Sequence, residues 1–289
     1  MSATPGTLYV VGTPIGNLED MTFRGVRILQ TVDLIAAEDT RHTGKLLQHF
    51  QVTAPQLSYH DHNSTSRIPE LLELLRSGKV IAIVTDAGMP GISDPGYELV
   101  KACVEAGITV VPIPGASAVI TALCAAGLPT DRFVFEGFLP TKEGERRDRL
   151  EFLKSEVRTI ILYEAPHRLR QTLQDLAAAL GERQIVLARE LTKLHEEFWR
   201  GKIVEAIAHY KERQPQGEYT LVVAGLAPSQ PQLSEAELKS ELQQLIQSGI
   251  SRSQASRQLA KATSLPRRHL YQLALAISVP LNEAEPKDD

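Results

Sequence analysis

The chain is poor in several features, and each shortage excludes a class of protein. Only two cysteines, Cys103 and Cys124, occur in 289 residues, which rules out a disulfide-stapled scaffold. Both lie among apolar residues, which predicts buried thiols in a reducing cytoplasm. No apolar run approaches the roughly 20 residues that span a bilayer. The opening MSATPGTLYVVG lacks the basic-then-apolar pattern of a signal peptide. Neither GxGxxG nor GxxxxGK(S/T) occurs, so neither dinucleotide nor P-loop phosphate binding is spelled out. HExxH is missing too, and His60 and His62 in YHDHN have no third ligand nearby, so no metal is expected. Excess positive charge is also lacking: the net charge is -4, which argues against wholesale wrapping of nucleic acid.

What is present is a βα alternation. Short Val/Ile-rich runs at 7–12, 34–38, 80–85 and 108–113 have the character of strands buried on both faces. Helical patterns fall between them at 21–32, 40–50, 66–78 and 96–107, with Gly78 and Gly107 at two of the exits. A mostly parallel sheet follows. Beyond about residue 118, strand-like runs at 133–139, 158–164, 183–190, 196–201 and 217–225 have fewer helices between them, which predicts a second, more antiparallel α/β domain. The stretch 226–235 reads as a linker. Three helices are expected at 235–247, 252–263 and 266–277, and the acidic end NEAEPKDD as a disordered tail. The expected organisation is therefore α/β: domains at 1–117 and 118–227, and a helical module at 234–280.

Three Gly/Pro-rich loops leave the carboxyl ends of strands in the first domain: GTPIGNLED (12–20), TDAGMPGISDPG (85–96) and PIPGASA (112–118). Ligands of open α/β sheets sit at that edge. Glycine admits close backbone approach and unhindered N–H donors, and Ser117 opens a helix whose free N–H groups favour an anion. Asp86 and Asp94 have the chemistry to meet hydroxyls, amines or a sulfonium. Polar clusters occur in AAEDTR (36–41), YEAPHR (163–168) and RELTK (189–193). Each holds groups suited to proton transfer or to ion pairing. Residues 250–270 carry five Lys/Arg and no acid, on two helices around a TSLP turn, much like a helix-turn-helix that meets phosphates. The mixed-charge 142–154 reads as a mobile loop.

These loops and clusters, taken with GTLYVVGTPIGNLEDMT, GLPTDRFVFEGFLP and RELTKLHEEFWRG, occur in one order along residues 6–225. In that set the chain resembles the S-adenosylmethionine-dependent tetrapyrrole methylase superfamily. DAGMPGISDPG stands where porphyrin-modifying relatives tend to read GDP, which favours the RNA-modifying branch. The resemblance implies two α/β domains with the cofactor S-adenosylmethionine folded into the cleft between them. It implies cofactor contacts at Pro14, Asp86, Gly88, Met89, Ile92, Ser117, Ala118, Tyr163, Glu164 and Ala224. The implied reaction is 2′-O-ribose methylation of a decoding-centre cytidine in 16S rRNA, free or within the assembled small subunit, by a cytoplasmic homodimer. Candidate catalytic groups are Glu38, Asp39, Arg41, His167 and Lys193, and candidate RNA contacts are Arg252, Arg257, Lys261, Arg267 and Arg268.

Overall fold

The structure, a computed structural model, describes residues 6–227, 234–263 and 265–277. The acidic tail and most of the expected linker lie outside the described residues. The chain divides into two compact units, with the boundary between Leu226 and Ala227.

The first unit holds two five-stranded sheets. One runs β3-β2-β4-β1-β5, built from β1 (Thr7–Val11), β2 (Leu34–Ala37), β3 (Gln56–Ser58), β4 (Ile81–Val84) and β5 (Thr109–Ile113). All its pairings are parallel. IAIV of β4 is buried at every position, as a central parallel strand covered on both faces requires. Helices α1 (Phe23–Thr31), α2 (Thr40–His49), α3 (Ser64–Arg76) and α4 (Tyr97–Glu105) make the crossovers. Thr22 caps α1 and Asp39 caps α2. Gly78 and Gly107, at φ 93 and 70°, close the exits of α3 and α4 in the left-handed region where glycine carries no steric penalty.

The second sheet runs β6-β7-β10-β8-β9: β6 (Phe133–Phe138), β7 (Thr159–Glu164), β8 (Gln184–Arg189), β9 (Glu197–Lys202) and β10 (Tyr219–Val223). β6 and β7 pair in parallel and the other neighbours antiparallel. Helix α5 (Ala118–Ala126) packs against it through Val119, Ala122 and Leu123, which share a core with Ile161, Val186 and Val222. The second unit is a trio, α9 (Glu235–Gln247), α10 (Arg252–Thr263) and α11 (Arg267–Leu275), around Leu238, Leu242, Leu259, Leu270 and Leu273.

As expected, fewer helices lie between the strands of the second sheet: α6 (Glu143–Leu153), α7 (Pro166–Leu180) and α8 (Ile203–Glu212). Three other expectations need correction. The expected mobile loop at 142–154 is α6, held by buried Leu150 and Leu153 and by the Arg146–Asp175 ion pair at 2.7 Å. Its charged composition hid two core positions. Strand β3 was missed because QLS carries none of the β-branched residues that mark a strand. Finally, Cys103 is buried but Cys124 is exposed, because it falls on the outward side of α5.

Candidate functional site

Parallel strands end on the same side of a sheet, so the loops after β1, β4 and β5 converge by topology alone. Two of them are pinned together. Thr13 and Gly88 form an isolated antiparallel bridge, with Thr13 N–H donating to Gly88 O at 2.9 Å and Gly88 N–H to Thr13 O at 3.1 Å. Gly88 holds φ 79°, a conformation that bulkier residues resist. Gly12 and Gly115 meet closely: a Cβ on Gly115 would stand 2.7 Å from the Gly12 Cα.

Beside this wall lies a cavity of about 440 Å³, within the usual range for small-ligand sites. The first sheet supplies Ile15, Gly88, Met89, Ile92, Asp94, Ser117 and Ala118. The second supplies Phe138, Tyr163, Glu164, Ala188, Leu191 and the start of β10, Glu218 to Thr220. Ser117 caps α5, accepting from the Ile120 N–H. Tyr163 packs edge-on against Phe135 and tilted against Phe138, and burial lifts its hydroxyl to about 12.

The electrostatics are one-sided. The Asp94 carboxyl is pushed up to about 7, first by burial and then by the charges of Glu38, Asp86 and Asp61. Burial also raises Glu38, whose Oε2 accepts the Asp86 N–H at 3.2 Å. The Asp39 N–H in turn donates to Asp86 Oδ1 at 3.3 Å. Asp94 lines the cavity, and the three carboxylates that act on it make its place favour a cationic ligand group.

Gly88, Met89, Ile92, Ser117, Ala118, Tyr163 and Glu164, named from sequence, are gathered on this cavity. Three others are not. Pro14 and Asp86 face a second hollow across the wall, of about 280 Å³. Ala224 follows the end of β10, where its N–H donates to Gln184 O. Because β10 is antiparallel to β7, its beginning meets the cavity: Thr220 pairs with Tyr163 and Tyr219 with Glu164. Glu164 is bound inward, its carboxylate accepting from Thr172 Oγ1 and the Ala165 N–H and facing Arg168. Replacing Glu164 with Ala leaves these partners unmatched in the interior. We expect a loss of roughly 2–4 kcal/mol in denaturant unfolding.

The catalytic candidates are scattered. Glu38 sits in the carboxylate network. Asp39 caps α2 and holds the exposed Arg41 at 2.7 Å, and that guanidinium keeps its carboxyl well below the usual range. His167 is exposed in the first turn of α7, after Pro166 at the helix start. Lys193 bridges Glu190 and Glu218, each at 2.8 Å, so it touches the cavity rim through Glu218. The residues that sequence reasoning passed over, Ile15, Phe138, Leu191 and Glu218, lie in stretches it did quote, but nothing in their spacing marks them.

In the helical unit Arg257, Lys261 and Arg268 are exposed. Arg267 donates to Ser253 Oγ at 3.0 Å, and Arg252 donates to Ile277 O at 2.9 Å and is half-buried. Arg252 thus ties α10 to the end of α11.

Residues 7–207 match the family model "Tetrapyrrole (Corrin/Porphyrin) Methylases". A Synechocystis protein named ribosomal RNA small subunit methyltransferase I is 63% identical over 274 residues, 94% of this chain and 98% of that protein. Its namesake from Escherichia coli O157:H7 is 49% identical over 273 residues, 93% of this chain and 95% of that one. Among solved structures, the methyltransferase CobJ is similar with a TM-score of 0.58 at 19% identity, over 77% of this chain and 95% of that one. Uroporphyrin-III C-methyl transferase from Thermus thermophilus, complexed with S-adenyl homocysteine, gives 0.52 at 19% identity, over 75% and 97%. These structural likenesses concern the fold of the two-sheet unit. The family model and the full-length relatives agree: the chain belongs to the tetrapyrrole methylase family, in its ribosomal RNA small subunit methyltransferase I group, and is an S-adenosylmethionine-dependent methyltransferase.

Proposed function

We propose that the protein methylates the ribose 2′-oxygen of a decoding-centre cytidine in the 16S rRNA of the small ribosomal subunit. The observation that carries this reading is the length of the match: 94% of the chain aligns with a relative named for small-subunit rRNA methylation. The helical unit is therefore part of what the relatives share. A basic α10–α11 pair suits phosphate contact. In this reading residues 1–117 and 118–227 are the two halves of the methylase and 234–280 the RNA-binding module. Tyr97 and Val104 leave an apolar strip exposed on α4, surface of the kind a second copy of the chain would cover in a cytoplasmic homodimer.

S-adenosylmethionine fits the larger cavity. Its sulfonium supplies an already activated methyl group, so positioning is most of the protein's task. Gly88 and Met89 offer backbone at close range, Ser117 and Ala118 the start of α5, and Tyr163 an aromatic wall. Asp94 has no hydrogen bond or ion pair among the described residues, and we assign its carboxylate to a cationic group of the cofactor. Glu38 and Asp86 strengthen that preference from behind.

Deleting the gene and reading 16S rRNA by primer extension at low nucleotide concentration tests the reading. The ribose-methylation stop at the decoding-centre cytidine should vanish; an unchanged stop refutes it. Reversing charge at Arg257 and Arg268 should weaken RNA binding and flatten its salt dependence by about one counterion per charge, while calorimetry with S-adenosylmethionine stays unchanged. An equal loss of both would assign the helices to stability.

A further inference from the structure

The hollow on the far side of the Thr13–Gly88 bridge is not used by the cofactor reading. We propose that it seats a single nucleotide of the RNA, phosphate outward, with its sugar against the wall shared with the cofactor cavity. The inference deepens the proposed function and rests on RNA being the acceptor.

Its lining falls into three chemical parts. His42 and Lys45, three apart on α2, stand on one helical edge at the rim. Both are exposed, and neither side chain has a hydrogen bond or ion pair among the described residues. They form an anion-facing lip on an otherwise acidic face. Pro14, Leu18 and Leu46 give an apolar side suited to a base or sugar face. Half-buried Asp86 and buried Thr43 supply the polar part of the lining. Thr43 is 2% exposed, and its Oγ1 has no hydrogen-bond partner. A buried hydroxyl without a partner is rare and costly. The oxygen is covered in the unliganded chain, so a ligand hydroxyl would pair with it once the side chain turns toward the hollow.

The wall itself argues for the acceptor over an unrelated anion. Along the first loop Pro14 and Gly16 face this hollow and Ile15 the cofactor cavity; along the second, Thr85 and Asp86 face this side and Ala87 and Gly88 the other. The bridged pair of loops thus contributes residues to both sites. The lip, apolar side and polar part match the phosphate, base and ribose of one nucleotide.

The test is saturation-transfer NMR on the full chain saturated with S-adenosylhomocysteine, with cytidine 5′-monophosphate as the probe. Wild type should transfer saturation to ribose and base protons. Lys45→Glu, at an exposed site, should weaken the probe about tenfold. Thr43→Val should weaken it while keeping the melting temperature, because the hydroxyl has no partner to lose. Both should keep S-adenosylhomocysteine affinity. No transfer in wild type, or variants equal to wild type, overturns the proposal. Inorganic phosphate that displaces the probe with no ribose signal would make the hollow a simple anion site and also overturns it. This readout does not involve rRNA methylation, so failure of the primer-extension test would leave the hollow's own result legible.

Discussion

Asp94→Asn should do two opposite things: weaken S-adenosylmethionine binding and stabilise the unliganded protein. The carboxyl sits at about 7 in the fold because it is half-buried beside Glu38, Asp86 and Asp61. Its folded value is raised above the unfolded one. The stability it contributes is therefore full at pH values below the unfolded value and is lost as pH rises through 7. Asn stays neutral throughout. At pH 8 the variant should melt above the parent, and near pH 4 the two should coincide. Binding runs the other way. A charged hydrogen bond lost to the cofactor's cationic group is worth roughly 1.5–3 kcal/mol, or about 10- to 150-fold in affinity. Parent affinity should rise from pH 5 towards pH 8 as Asp94 ionises, and the variant's should be flat across that range. Calorimetry and melting on the same samples check both. A variant that binds normally at pH 8 would remove Asp94 from the cofactor's contacts.

Gly115→Ala should damage the site through the backbone. The new Cβ would stand 2.7–2.8 Å from three Gly12 atoms, and these are main chain, which does not rotate away. The loops after β1 and β5 must part. Overpacking of this kind costs about 1–3 kcal/mol, or a melting temperature lower by roughly 2–4 °C per kcal/mol. The shift carries Ser117 and Ala118, so cofactor affinity should fall about tenfold as well. Gly144→Ala is the control. It lies within α6 with nothing near its Cβ position, and removing a helical glycine should gain about 0.5–1 kcal/mol with binding unchanged.

Most of the first sheet was legible because parallel strands buried on both faces leave continuous Val/Ile runs, and their loops then share an edge by topology. That is why Gly88, Met89, Ser117 and Ala118, on loops marked by the sequence, line one cavity. What the sequence hides has equally local causes. Pro14 and Asp86 lie on the same loops but line the other hollow, because adjacent residues face opposite sides of the Thr13–Gly88 bridge, and loop composition does not reveal that. Ala224, which only the resemblance put among the contacts, follows the end of β10, whereas the start of that strand lines the cavity. Leu150 and Leu153 were overlooked among charges in α6, and β3 had no β-branched residue to announce it. The helix-turn-helix pattern at 250–270 was legible from spacing, but not that Arg252 turns inward to the Ile277 carbonyl.

Methyl placement decides the central claim. Purified protein, small ribosomal subunits from the deletion strain and isotopically labelled S-adenosylmethionine are incubated together, and the 16S rRNA is digested to nucleosides for mass spectrometry. The account requires one labelled methyl per subunit, on the ribose of a cytidine from the decoding centre. Label on a base, on another nucleoside or on no RNA at all would contradict it.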